Sequence, residues 1–406
     1  MQGRYARSYE IFEKAKTIFP GAVTRARVPH VPGRYPIYMD RARGSHLWDV
    51  DGNEYIDWMS GYGCILLGHA YKEVDDAAVA QMRKGFIGIL SNPIQYELAE
   101  DLISMVPCAE MVRLLKSGTD ATTAAVRIAR IYTGREHVVK WGFHGWADWS
   151  VADIPDFSAG VPQCTRDIVH TFEYNDLDSV RAVFRAHPGQ IACVIMMPLS
   201  TEPPAPGFLV GVRSICHEHG AVFILDEIRT GFRMAQGGAQ QYYGVEPDLA
   251  TLSKGMANGY AISAVVGRRE VMQVTPKGLF SSTFFVSSME MAASLATLRI
   301  VRERDVIAHV WRLGEKLQAG MRGLCAGSPL KAAVTGVPPM PFLEFRLPDA
   351  AANERAKMEF FAETAARGVY FHPGHHWFVN YSHTDEDVER TLEACAHALK
   401  CAEAAI

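Results

Sequence analysis

The stretch IACVIMMPLSTEPPAPGFLVGVRSICHEHGAVFILDE, residues 191–227, decides the fold. It opens on one apolar run, Ala192–Met197, and closes on another, Ala221–Leu225; between them Phe208–His219 carries helical spacing. Neither run alternates apolar with polar, the pattern of strands covered on both faces. A strand–helix–strand unit of this size is the right-handed crossover of a mostly parallel sheet. The same rhythm continues outward: Met111–Leu115, His137–Trp141 and Ala261–Val266 read as further strands, and Ala121–Tyr132 as a helix ended by Gly134. The sequence therefore predicts an α/β fold, with a large domain on a mostly parallel sheet over residues 46–300. Beyond that the pattern shifts. Helices near Met289–Arg304, Val310–Cys325, Asn353–Arg367 and Thr384–Ala404 surround the strand-like Pro341–Arg346, which predicts a small α+β domain at 301–406. Residues 1–45, a short helix at Tyr5–Thr17 and the Pro/Gly-broken Phe19–Pro36, are expected to join the small domain.

Composition narrows the partners. The 406 residues are 48% apolar and 21% charged, with 41 Lys plus Arg against 45 Asp plus Glu, a net charge of −4. That is an ordinary globular balance, and without a basic patch it predicts neither nucleic acid nor an acidic membrane surface as partner. No apolar run approaches the ~20 residues of a membrane helix, and the charged N-terminal MQGRYARSYEIFEKAK has no signal-peptide core. Eight scattered cysteines without a C-x-x-C fit a reducing, cytoplasmic location.

Ligands of such sheets bind beyond the carboxyl ends of the strands, and five segments at such ends carry chemistry. Lys116-Ser117-Gly118-Thr119-Asp120-Ala121 stands between a strand and a helix. Its backbone N–H groups and hydroxyls suit an anion, although read alone it is also a simple N-cap. Trp141-Gly142-Phe143-His144-Gly145 sets an aromatic ring between glycines, where it lies flat on a planar ligand or fills the core at a tight turn. Phe223-Ile224-Leu225-Asp226-Glu227 ends a strand in two carboxylates, only one of which alternation aims at a given face. A buried carboxylate needs a cation or hydrogen bonds, and a protonated ring nitrogen is one such cation; a salt bridge or a helix cap is the ordinary alternative. Leu249-Ala250-Thr251-Leu252-Ser253-Lys254-Gly255 puts a lysine after an apolar run. A desolvated lysine loses its proton and attacks a carbonyl to form a Schiff base, while most lysines are solvated surface charges. Ser281-Ser282-Thr283-Phe284 offers hydroxyls to a phosphate, or caps the helix that follows. An anion cradle, a stacking ring, a carboxylate for a pyridinium and a lysine for an aldehyde together make the inventory for pyridoxal 5'-phosphate (PLP). A reading from another class, a metal-dependent hydrolase using His372, His375, His376 and His383, lacks a recognised ligand spacing, and no metal is expected.

In order and spacing these segments resemble the class III (ω-type) aminotransferases of fold type I, particularly those similar to glutamate-1-semialdehyde aminomutase. The resemblance covers nearly the whole chain. It takes in Phe19-Pro20-Gly21, the block from Leu47 to Asp57, Leu67-Gly68-His69, Asp226-Glu227-Ile228 with Thr230-Gly231-Phe232-Arg233, and Pro247-Asp248-Leu249 ahead of Lys254, which lies 28 residues after Asp226. It implies a fold type I PLP enzyme in which Lys254 forms the Schiff base and moves the proton, while Asp226 keeps the pyridine nitrogen protonated. It further implies that Phe143 and Ile228 flank the ring, that His144 belongs to the same cofactor-binding segment, and that Ser117, Gly118 and Thr119 hold the phosphate. Thr283 would reach the phosphate of a neighbouring subunit, so a homodimer with a shared phosphate site is expected.

The departures from the family pattern bear on the substrate. Asp120 stands where the family has Glu, and Ser282-Thr283 where Gly-Thr is frequent. Met197-Pro198 replaces a frequent Glu-Pro, which removes a carboxylate from beside the cofactor. The aminomutase pattern N-S-P-V-R is replaced by Thr24-Arg25-Ala26-Arg27, and a C-terminal Ser-x-Phe-Glu by Gly374-His375-His376-Trp377; both argue against glutamate-1-semialdehyde chemistry. Val23-Thr24-Arg25 resembles the segment that holds the substrate carboxylate in aminotransferases of β-amino acids and D-arylglycines. Arg25 is thus a candidate for a bidentate carboxylate contact, with Met197 and Arg229 as further substrate-side candidates. The expected activity is transfer of an amino group between an amino compound and a 2-oxo acid. The amino compound would be a carboxylate-bearing amino acid, β- and D-types included, or an amino sugar. An aminomutase, racemase or epimerase, glutamate-1-semialdehyde 2,1-aminomutase included, is the alternative. Donor, acceptor and stereochemistry stay open.

Overall fold

The structure is a computed structural model that describes residues 2–22 and 37–406. Its contacts divide the chain into two units, one made of the residues up to Tyr71 together with Ala308–Ile406, the other of Lys72–Ile307. In the first unit, strands β1 (Met39–Arg43), β2 (His46–Asp49) and β3 (Glu54–Asp57) form an antiparallel meander. The turn between β2 and β3 is built by Asp49, whose carboxylate accepts from the backbone N–H groups of Asp51 and Asn53 and from the Tyr55 hydroxyl. Gly52 supplies the φ of +85° that the turn requires. The block from Leu47 to Asp57 is therefore a hairpin specification.

The second unit holds the large sheet: β4 (Met111–Leu115), β5 (His137–Trp141), β6 (Val169–Thr171), β7 (Ile191–Met196), β8 (Val222–Asp226), β9 (Leu249–Leu252) and β10 (Ser263–Gly267), in the order β4-β10-β9-β8-β7-β5-β6. The neighbours from β9 through β8, β7 and β5 to β6 pair in parallel, and only β10 runs against the rest. Every residue of β7 and β8 is buried. Alternation then sends Ile195 and Ile224 to the face covered by helix Gly118–Thr133, through Ala125, Ile128 and Ala129. Val194, Phe223 and Leu225 go to the face covered by helix Phe208–Glu218, through Val212 and Ile215. Both faces being covered is why these strands carry no polar–apolar alternation in the sequence.

The first unit is completed by a hairpin, β11 (Ala333–Val337) with β12 (Met340–Glu344), by β13 (Val369–Tyr370) parallel to β3, and by helices Ala350–Ala366 and Asp385–Ala404. The last helix starts from a capping box in which Thr384 and Asp387 satisfy each other's backbone N–H. Both boundaries differ from the sequence expectation, which opened the large domain at residue 46 and the small one at 301. Residues 46–71 group with the C-terminal segment, because β2 and β3 pair with β1 and β13, and the division falls at Ala308. No helix among the described residues is long and apolar enough to cross a membrane.

Candidate active site

β8, β9, β5 and β4 end at the same edge of the sheet, and the residues that follow β8, β5 and β4 meet. β8 ends on Asp226, 4% exposed, followed by Glu227, fully buried. Alternation separates the two carboxylates. Asp226 Oδ2 lies 2.6 Å from His144 Nδ1, and Oδ1 accepts from the Thr251 hydroxyl and the Ile228 N–H, both at 3.1 Å. Glu227 turns the other way and accepts from the Thr230 hydroxyl and from the N–H groups of Ala239 and Gln240 at 2.8 and 2.7 Å. Burial pushes its carboxyl up, and its bonds are those of a cap on helix Ala239–Tyr243. Of the two acids, Asp226 is the one available to a ligand.

Beyond β9, in register with β8 at Asp226 and Thr251, the chain turns at Lys254. This residue is half-buried and takes a φ of +48°, left-handed space that a side chain enters at a cost. Beyond β4, Ser117 caps helix Gly118–Thr133 in a capping box with Asp120, and the Ser117 carbonyl accepts from Ser263 Oγ at 2.7 Å. The first turn of this helix leaves no spare room: a Cβ on Gly118 would sit 3.0 Å from Ile228 Cδ1.

Beyond β5 come Gly142 and Gly145, at φ +97° and +109°. A Cβ on Gly142 would meet Met197 Cε at 2.5 Å, and one on Gly145 would meet Thr119 Oγ1 at 2.2 Å. The two glycines thus let the loop pass between Met197 and Thr119. They also turn His144 inward, where its carbonyl accepts from the Thr122 hydroxyl at 2.6 Å, and leave Phe143 56% exposed. Both His144 ring nitrogens face oxygen, Nδ1 the Asp226 carboxylate and Nε2 the Trp141 carbonyl at 3.1 Å, so the ring is held between the two acceptors.

Ser117, Gly118, Thr119, His144, Ile228, Asp226 and Met197 are thereby linked by bonds or close approach, with Phe143 between the two glycines and Lys254 at the end of the strand beside Asp226. Other candidates fall elsewhere. Arg229 donates to the Leu199 carbonyl, and burial lowers it to about 10 against the attraction of Asp226 and Tyr174. Thr283 is exposed at the start of the short turn Thr283–Val286 and makes no side-chain hydrogen bond among the described residues. Arg25 lies outside the described residues. His372, His375, His376 and His383 do not converge on one point: His383 stacks on Trp58 at 4.1 Å, and His375 Nδ1 bonds the His376 carbonyl.

Two features escaped the sequence reading. Thr251 is the polar residue inside an otherwise apolar strand, and the pairing register gives it to Asp226. Trp141 stacks on Tyr174 at 4.0 Å, and the Tyr174 hydroxyl donates to the Pro198 carbonyl beside Met197. Only the unpredictable course of the loop after β6 brings Tyr174 there.

A lysine and a carboxylate at neighbouring strand ends, with a glycine-lined helix start opposite, define a fold type I PLP enzyme. The family description "Aminotransferase class-III" matches residues 29–399, and the chain belongs to that family. It is 39% identical to a 3-aminobutyryl-CoA aminotransferase of Cloacimonas acidaminovorans, over 98% of this chain and 97% of the other. It is 38% identical to a glutamate-1-semialdehyde 2,1-aminomutase of Methanothrix thermoacetophila, over 97% and 96%. Among solved structures, the FumI protein of Sphingopyxis sp. MTA144, in its PLP internal aldimine form, superposes with a TM-score of 0.91 at 32% identity, over 97% of this chain and 96% of that one.

The cofactor is PLP, and the residues present fit it. The helix start at Gly118 and the loop at Gly145 approach so closely that a Cβ at either position would fill the cradle, and the backbone N–H groups of the first helical turn suit a phosphate. The enclosed Asp226 carboxylate is the acceptor that a protonated pyridine nitrogen requires.

Proposed function

We propose that this aminotransferase takes its amino group from a compound with the amine on the carbon β to a carboxyl carbon, free or joined as a thioester, and delivers it to a 2-oxo acid. The observation that carries the reading is the end-to-end match to the 3-aminobutyryl-CoA aminotransferase. Met197 supports it: where the family often has an acid, this chain packs an apolar thioether against the Gly142 turn, which suits an uncharged carbon chain. Arg25 would take the carboxylate of a free acid.

When bound, PLP supplies an electrophilic aldehyde and a ring that accepts the electrons of a deprotonated carbon. The chain does the rest. Asp226 would hold a proton on the pyridine nitrogen, with His144 and Thr251 fixing the carboxylate. Ser117, Gly118 and Thr119 would anchor the phosphate, and Phe143 and Ile228 would confine the ring between them. The Lys254 amine would carry the aldehyde carbon until the incoming amine displaces it, then move the proton from the donor carbon to the cofactor carbon.

We also infer a homodimer. Trp146 and Leu279, 80% and 76% exposed, lie in the segments of Phe143 and Thr283, and apolar surface of that kind suits a second copy that would bring Thr283 to the partner's phosphate. Eight cysteines, none of them in a disulfide, support a cytoplasmic location.

The test is spectral. Holoenzyme mixed with 3-aminobutyryl-CoA or 3-aminobutyrate is expected to convert to its amine form, and a 2-oxo acid is expected to reverse the change; Lys254→Ala removes the response. The second reading, an aminomutase, rests on the 38% relative and is favoured if glutamate-1-semialdehyde turns over with no acceptor present. No response to any 3-amino compound overturns the proposal.

A further inference from the structure

We propose that His137, His170 and His187 form a site for one divalent transition-metal ion, with Zn2+ its fitting occupant, on the side of the sheet remote from the candidate active site. The three side chains come from three elements: the first residue of β5, the middle of the edge strand β6, and the residue that ends helix Leu177–Ala186. Parallel pairing puts Val139 opposite His170. Two residues along β5 from Val139, His137 projects from the same face of the sheet as His170. The crossover helix covers that face and delivers His187. Each residue offers a ring nitrogen, and the three nitrogens lie within 4.8 Å of one another. His170 Nε2 is 2.9 Å from His137 Nδ1, and the His170 and His187 rings stack at 3.9 Å.

The convergence of three rings on one point, with no carboxylate among them, is what points to a ligand. His46, His69, His144 and His217 each bond a carboxylate. Among the described residues, none of the three clustered rings pairs with one. They face each other instead, an arrangement that protonation would break by like-charge repulsion and that a cation between the rings would complete. Three neutral imidazoles are the donors Zn2+, Cu2+ and Ni2+ prefer over Mg2+ or Ca2+, and water would fill a fourth position. Along β5 the cluster is about 13 Å from Trp141, at roughly 3.3 Å per residue. The ion would thus pin the edge strand and the crossover helix to the sheet and leave the amino-transfer chemistry alone.

The experiment uses metal-stripped holoenzyme titrated with ZnCl2 by calorimetry, and separately with Co2+, whose visible spectrum reports nitrogen coordination. One equivalent per chain is expected. His187→Ala and His170→Asn are each expected to weaken binding about 100-fold or more and to abolish the Co2+ spectrum, while PLP absorbance and circular dichroism stay as in the wild type. A wild-type chain that binds no stoichiometric Zn2+ overturns the site. So does wild-type affinity in either folded variant, which would place the ion on the cofactor phosphate or an exposed thiol such as Cys164.

Discussion

Replacing His144 with Phe removes the shortest bond to Asp226 while keeping an aromatic ring in the same space. The bond is 2.6 Å long, and its two partners are 2% and 4% exposed, so water cannot take over the vacated acceptor. A hydrogen bond to a charged group contributes about 1.5–3 kcal/mol, and full enclosure puts this one in the upper half of that range. With about 2–3 kcal/mol lost, the carboxylate keeps only Thr251 and the Ile228 N–H, both on Oδ1. Its hold on the ring proton slackens, and the chemical step should slow roughly 30- to 150-fold. The loss should appear in kcat, with KM little changed, because Asp226 is placed to meet the cofactor and not the amino donor. His144→Asn offers an amide N–H near the position of Nδ1 and should restore most of the rate. The assay is a single turnover with an amine donor, followed through cofactor absorbance, with PLP content measured alongside. A His144→Phe enzyme that keeps its PLP and reacts within threefold of wild type would refute the reasoning, and so would an Asn variant as slow as the Phe one.

Gly145→Ala would put a methyl 2.2 Å from Thr119 Oγ1 at a φ of +109°; we expect a fall in retained PLP of at least tenfold on dialysis, with a loss of about 2–3 kcal/mol in stability. His383 is buried neutral, and burial holds it at about 4 against 6.5, its Nδ1 accepting from the Asn380 N–H. As pH falls below 6.5 the unfolded chain gains a proton that the folded chain refuses. Stability should therefore drop by about 3 kcal/mol between pH 6.5 and 4, and urea midpoints of His383→Phe should lack that slope. Burial disfavours the Asp387 carboxylate, yet His46, the Thr384 N–H and Ser45 outweigh it and hold the group at about 2. Its contribution is present above pH 4 and lost towards pH 2, and Asp387→Asn should cost about 2 kcal/mol at pH 7 by chemical denaturation.

What could be read in the sequence was whatever a single segment encodes. Fully apolar runs marked β7 and β8, because a strand covered on both faces has no polar alternative. Ser117 was readable as a helix start because the first turn of a helix needs an acceptor. The pair Asp226-Glu227 could be narrowed to one acid per face but not assigned, since the choice depends on what lies on each face: a helix start on one side, His144 on the other. The domain boundary was missed for a similar reason. β2 and β3 are too short to declare a partner, and β13, which draws them to the C-terminal unit, is two residues long. Thr251 and the three-histidine cluster were invisible because each contact joins segments whose proximity the register of the sheet decides, and Tyr174 because the loop after β6 carries it to Trp141.

Beyond β5 and beyond β9, three residues of the turns sit in left-handed space, Gly142, Gly145 and Lys254. Two of them are glycines, for which this space costs little, but Lys254 is not, and its side chain could be swapped for a hydrogen with a gain in backbone ease. Phe232, Asn258 and Lys331 carry the same penalty, of order 1 kcal/mol, at other turns; at Lys254 it comes with an amine at the end of the strand that neighbours Asp226. A Lys254→Gly chain should consequently be as stable as wild type or more so by thermal denaturation without cofactor, while losing amino transfer altogether. Stability and activity moving in opposite directions at one residue is the signature expected of strain kept for chemistry, and a Lys254→Gly chain that is both inactive and less stable would remove that interpretation.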